Sequence, residues 1–132
     1  MTNTITIELH VPDFEKVKKF YQKLGFVVVR EDFDKEGDGY LVLKMRDHVL
    51  CFWAGSDIVY NQSYFKKFPK ETKRGYGVEI IITVDDIEAH YHNAKKFATI
   101  VGDLNLRRWG ARDFRVEDPY GYYLRFTEKY TI

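Results

Sequence analysis

The feature that most constrains this chain is that it repeats itself. Val11-Pro12-Asp13-Phe14-Glu15 matches Val84-Asp85-Asp86-Ile87-Glu88 at an offset of 73 residues, and Leu50-Cys51-Phe52 matches Leu124-Arg125-Phe126 at 74. Two offsets that differ by one, in the same order along the chain, are what a duplicated unit with a one-residue insertion gives. Whatever the first half folds into, the second half must be able to fold into as well.

The first copy reads β-α-β-β-β. Residues 4–11 alternate, with Ile5, Ile7, Leu9 and Val11 on one side and Thr4, Thr6, Glu8 and His10 on the other, the pattern of a half-buried strand. Asp13 is a good N-cap, and Phe14, Val17, Phe20, Tyr21 and Leu24 recur at helical spacing before Gly25 stops the helix. Phe26–Arg30 is β-branched and reads as a strand; the acidic residues and glycines of 31–39 read as a loop. Tyr40–Met45 and His48–Trp53 flank a turn at Arg46-Asp47. Loop formers and lysine-interleaved aromatics then mark a connecting segment, with a short helix expected near 61–68 that ends at Pro69.

The second copy restarts at Gly77–Val84, a strand, followed by Asp85-Asp86 capping a weaker helix over Ile87–Phe97 and a short strand at Ile100–Val101. It closes on a hairpin, Trp109 to Phe126, around Asp118-Pro119-Tyr120-Gly121. Pro119 presets φ for the first central position, and Gly121 tolerates the exit geometry. The last strand puts Tyr123, Arg125 and Thr127 on one face and Tyr122, Leu124 and Phe126 on the other. The expected fold is α+β: two tandem βαβββ modules whose curved mixed sheets surround a cleft, with helices on the outer faces. One domain spans 1–132, with module 1 at about 3–54, a linker at about 55–75 and module 2 at about 76–128.

Composition narrows the functional class. Twenty-one basic against 20 acidic residues give a net charge of +1, which argues against a nucleic-acid partner, and the lysine-aromatic stretch reads as a solvated helix face. No apolar run of about 18 residues is present, so no membrane partner is expected. A single cysteine forms no internal disulfide. With no signal peptide read at the start, the expectation is a cytoplasmic protein. Ten Tyr and ten Phe supply core, and aromatic binding surface besides.

Three blocks together carry a family likeness: Val11-Pro12-Asp13, Phe20-Tyr21-Gln22-Lys23-Leu24-Gly25-Phe26, and Asp118-Pro119-Tyr120-Gly121-Tyr122-Tyr123-Leu124-Arg125-Phe126. In this order they resemble the vicinal oxygen chelate superfamily, which includes glyoxalase I, extradiol dioxygenases, fosfomycin-modifying enzymes and bleomycin resistance proteins. The resemblance implies the paired βαβββ fold without fixing a reaction, because many functions share the scaffold. In metal enzymes of the superfamily, four inward side chains from the first and last strands of each unit hold the cation. The matching positions here are Thr6, Cys51, Glu79 and Arg125. A guanidinium has no lone pair to donate and repels a cation, so Arg125 is expected to pair with Glu79 and fill the place of the ion. Cys51 reads as an inert buried thiol.

The likeness therefore points to the metal-free branch: a homodimeric, cofactor-free protein that sequesters a small molecule, such as an antibiotic or other aromatic ligand, at a dimer-interface cleft. Thr6, Trp53, Glu79, Trp109, Arg112, Tyr123 and Arg125 are the candidate cleft residues. The arginine-rich rim (Arg107, Arg108, Arg112, Arg115) departs from the acidic character of bleomycin resistance proteins and favours a neutral or anionic ligand over bleomycin itself. The alternative is a metal-dependent lyase or dioxygenase using a shifted site of His10, Glu8 and Glu79. His48, His90 and His92 sit on a turn and an exposed-looking helix, away from either site.

Overall fold

The computed structural model describes residues 5–131. Thr4, expected to open the first strand, and the first residues expected in module 1 lie outside them. The chain divides into two units, one ending at Thr72 and one beginning at Lys73.

The first unit contains β1 (Glu8–Val11), α1 (Phe14–Lys23), β2 (Val27–Phe33), β3 (Gly39–Met45) and β4 (His48–Ala54). Its four-stranded sheet has the order β1-β4-β3-β2, with β1 parallel to β4 and the other pairs antiparallel. α1 forms where the apolar spacing predicts. The Asp13 side chain accepts from Glu15 N at 2.8 Å, a cap of about 1 kcal/mol, and Gly25 takes φ of 106° just past the C-terminus. The helix buries Phe14, Val17, Phe20 and Tyr21. The Tyr21 ring lies 5.3 Å from Phe52, so α1 covers the face built from Leu9, Val11, Leu41, Leu43, Leu50 and Phe52. Burial of each large side chain stabilises by roughly 1.5–3 kcal/mol, which makes this face the core of the unit.

The second unit contains β5 (Ile80–Thr83), α2 (Ile87–Ala94), β6 (Thr99–Leu106), β7 (Arg112–Glu117) and β8 (Tyr123–Thr127). Its sheet order, β5-β8-β7-β6, repeats that of the first unit element for element, with β5 parallel to β8. Asp86 caps α2 by accepting from Ala89 N at 3.1 Å, the counterpart of Asp13. α2 lies on the face of Phe114 and Phe126, which Tyr91 and His90 approach at 5.1 Å and 4.7 Å between ring centroids.

Several expectations need correction. β1 begins at Glu8, leaving Thr6 outside the strand; Ile5 and Ile7 are exposed, so only Leu9 and Val11 of the alternating series enter the core. β2 runs through the acidic stretch to Phe33, because the Arg30, Glu31 and Asp32 backbones pair with β3 regardless of their polar side chains. The short helix in the connecting segment is a 3-10 turn at Asp57–Asn61, capped by Ser56, and it precedes the range expected for it. β5 is shorter than Gly77–Val84, while β6 extends well beyond Ile100–Val101 as the partner of β7. α2 stops at Ala94 rather than Phe97, and His90 is half-buried instead of exposed.

Candidate functional site

In each unit the sheet face turned away from the helix carries the polar side chains. The turn at Asp118-Pro119-Tyr120-Gly121 determines which they are in the second unit. Asp118 Oδ1 accepts from Tyr120 N at 2.8 Å and from Tyr122 N at 2.9 Å, and Gly121 adopts φ of 79°. That closure sets the pairs Glu117 with Tyr123, Arg115 with Arg125, and Asp113 with Thr127. Alternation then brings Asp113, Arg115, Tyr123 and Arg125 to one face, together with Glu79 just ahead of β5.

There the side chains form one ion-pair cluster. Arg125 Nε lies 3.2 Å from Glu79 Oε1, the pairing anticipated from the sequence, and its Nη1 lies 3.5 Å from Asp113 Oδ2. Arg115 Nε donates to Glu79 Oε1 at 2.8 Å, and Arg107 Nε donates to Asp113 Oδ1 at 2.7 Å. Asp113 is fully buried, at 0% exposure, and Trp109 sets its ring 5.7 Å from the Arg125 guanidinium carbon. Asp113 is not among the residues the sequence singles out for this site, and Arg107 and Arg115 figure there only as part of an arginine-rich rim. Counting outward from the Asp118 turn would have found Asp113 and Arg115, since both fall in register with the face of Arg125.

Arg112 is not part of this cluster. It alternates to the other face of β7, where Glu128 takes it with Nε–Oε1 at 3.2 Å and Nη2–Oε2 at 2.9 Å, while Nη1 reaches Glu88 on α2 at 3.0 Å. Its planar fork is already filled by a carboxylate. Tyr123 and Arg125 share a face, and Trp109 reaches the same cluster from the turn between β6 and β7, held by Gly110 N donating to Arg107 O at 2.9 Å.

In the first unit the matching face carries Glu8, His10, Tyr40, Cys51 and Trp53. Trp53 Nε1 donates to Asp38 Oδ1 at 2.6 Å, and the His10 ring packs edge-on against Trp53 at 5.0 Å and Phe65 at 5.4 Å. His10 Nε2 sits 3.2 Å from Glu8 Oε2. Burial holds the Tyr40 hydroxyl above its usual pKa, and hydrogen bonding with Cys51 and Glu8 adds to the shift, so Tyr40 stays a proton donor across the physiological range. Cys51 is buried, and in register it stands beside Glu8; Thr6 is exposed and precedes the strand.

These residues do not suit a divalent cation. In the second unit one expected ligand position is a guanidinium and the other, Glu79, is already shared by two arginines. In the first unit the matching positions are an exposed hydroxyl and a buried thiol. Among the described residues, no group of three or more His, Cys, Asp and Glu is placed to hold a metal ion. No helix among them is long and apolar enough to cross a membrane.

The sequence profile of the family described as Glyoxalase/Bleomycin resistance protein/Dioxygenase superfamily matches residues 4–126. Solved structures share the fold over nearly the full length of both chains. A bleomycin resistance determinant encoded on the transposon Tn5 is 23% identical with a TM-score of 0.69, covering 97% of this chain and 98% of its own. A bleomycin-binding protein complexed with bleomycin is also 23% identical, with a TM-score of 0.67 and coverage of 97% and 99%. TioX from Micromonospora sp. ML1 is 18% identical, with a TM-score of 0.68 and 98% of both chains covered. No curated protein matches the sequence.

Proposed function

Because the chain belongs to the Glyoxalase/Bleomycin resistance protein/Dioxygenase superfamily, we propose that it is a metal-independent small-molecule-binding protein of the bleomycin resistance type. It acts by sequestration of an antibiotic or other aromatic ligand at a cleft formed in a homodimer. The observation that carries this reading is the Glu79–Arg125 contact at 3.2 Å, which puts an ion pair where metal enzymes of the fold would place two ligands. The half-exposed Trp109 beside Arg125, and Trp53 and Tyr40 in the first unit, supply the flat apolar surfaces that hold planar ligands. A bleomycin-bound structure of the same fold supports small-molecule binding as the activity to test first.

The dimer draws support from the edge strand β2, which exposes Val27, Val29 and Phe33, each at 50% or more. Exposed apolar side chains on an unpaired strand edge favour cover by a partner. Thr6, Glu79, Tyr123 and Arg125 complete the proposed ligand-contacting set with the aromatics.

The experiment is a thermal-shift screen of the purified chain against bleomycin and planar aromatic acids, alcohols and amines, with metal analysis of EDTA-free protein and sedimentation velocity alongside. A ligand at about 100 times its Kd stabilises by about 2.7 kcal/mol, a shift easily read. The competing reading, a lyase or dioxygenase, has the Glu8–His10 contact in its favour. A stoichiometric divalent ion lost in His10→Ala would establish that reading in place of ours.

A further inference from the structure

Resting on the small-molecule-binding reading above, we infer that the ligand is an aromatic carboxylate, its carboxylate received by Arg125 and Arg115 and its ring laid against Trp109. The inference starts from charge. The cluster contains three guanidiniums (Arg107, Arg115, Arg125) and two carboxylates (Glu79, Asp113), so three positive less two negative leaves one positive charge uncompensated. The adjacent Lys73–Glu117 pair, at 3.0 Å, is neutral, and Arg108 next to the cluster is exposed and adds no negative charge.

The excess is concentrated at Arg125. Arg107 and Arg115 each direct an aligned hydrogen bond from Nε to a carboxylate, at 2.7 and 2.8 Å. Arg125 has only the two less well-aligned ion pairs, and its Nε is buried without a hydrogen bond among the described residues. Its side chain is only 12% exposed, so bulk water hydrates it poorly. A partly desolvated guanidinium with donors to spare favours an oxyanion, and the planar fork matches a carboxylate. The second half of the recognition is Trp109, 45% exposed with its ring 5.7 Å from the same guanidinium carbon. An aromatic ring against the indole, with an acid on the adjoining arginine, uses both features at once. A cationic ligand would meet net positive charge there.

The test is isothermal titration of the full-length chain with 2-naphthoate, 2-naphthalenemethanol and 2-naphthylmethylamine, which share one ring system and differ in charge. The carboxylate is expected to bind about tenfold or more tighter than the alcohol, and the amine weakest. Arg125→Gln should abolish the preference for the acid. Should that variant fold poorly, Trp109→Ala alters a half-exposed turn residue and is expected to weaken the naphthoate while keeping the order acid over alcohol over amine. Acetate and inorganic phosphate serve as ring-free anions; either one binding as tightly as naphthoate would refute the aromatic half of the inference. If the amine or alcohol binds as tightly as the acid, the anionic anchoring is wrong while small-molecule binding stands. If neither bleomycin nor any naphthalene binds, the binding reading itself fails and takes this inference with it.

Discussion

Asp113→Asn isolates what the buried carboxylate contributes to the second unit. The amide keeps the shape of the side chain and removes its charge, so packing is nearly preserved. Arg107 then loses the charge-assisted partner at 2.7 Å, and Arg115 and Arg125 lose one at 3.4 and 3.5 Å. The cluster goes from one uncompensated positive charge to two. Removing one partner of a buried ion pair costs about 3–5 kcal/mol. The three arginines retain 12–25% of their side-chain exposure and hence some water, so the lower end applies, about 3 kcal/mol. With an unfolding entropy of about 2.1 cal/mol/K per residue over 132 residues, that is a fall in Tm of about 10 °C. Urea unfolding followed by circular dichroism should give a lower midpoint at unchanged slope. The Arg30–Asp32 pair is the control. It has the same 2.7 Å separation between Arg Nε and Asp Oδ2 but side chains more than half exposed, so Asp32→Asn should leave the midpoint where it is. A loss of under about 1 kcal/mol in Asp113→Asn, the range of surface pairs, would refute the view that desolvation makes this cluster matter.

A double-mutant cycle on Glu79→Gln and Arg125→Gln should return a coupling of about 1–3 kcal/mol by denaturant unfolding, and zero coupling would remove the filled-site argument. His90 has its pKa lowered by burial, and its buried Nε2 has no hydrogen bond among the described residues. The unfolded chain therefore binds the proton more readily than the folded one, and stability present above pH 6.5 is lost as the pH falls through the lowered folded value. His90→Leu should flatten the fall in stability as the pH drops below about 6.5, and an unchanged slope there would show that another group is responsible. Asp118→Ala leaves the Tyr120 and Tyr122 amides without their acceptor, for a loss of about 2 kcal/mol in thermal unfolding. Gly121→Ala adds a Cβ 2.9 Å from Lys73 Cβ at a positive φ and should cost at least about 1 kcal/mol by the same measurement.

Much of the site was legible because short-range rules reach it. The hairpin turn fixes register, and register fixes which side chains share a face, so Arg125, Tyr123 and the approach of Glu79 follow from the Asp-Pro-Tyr-Gly sequence and the repeat. Arg112 lies off this face for an equally local reason: it is one residue out of phase with Asp113, and alternation sends it to the helix side of β7, where Glu88 and Glu128 hold it. Thr6 was placed on a strand by the alternation of 4–11, but β1 begins only at Glu8, where pairing with β4 sets in. Periodicity marks which side chains suit a sheet; the number of residues that find a pairing partner ends the strand.

By itself the sequence determined the duplicated order of elements, the Asp13 and Asp86 caps and the face that Arg125 takes on the last strand. Those depend on spacing, capping and side-chain chemistry, which act over a few residues or carry over from one copy to the next. The tertiary structure decided how the charges are shared. Glu79 and Arg115 are 36 residues apart and meet only because β5 and β7 both pair with β8. Asp113 becomes buried only once Arg107, Arg115 and Arg125 have gathered around it. Ionic interactions are strong where water is excluded, and exclusion of water is a property of the assembled sheet, absent from any single strand.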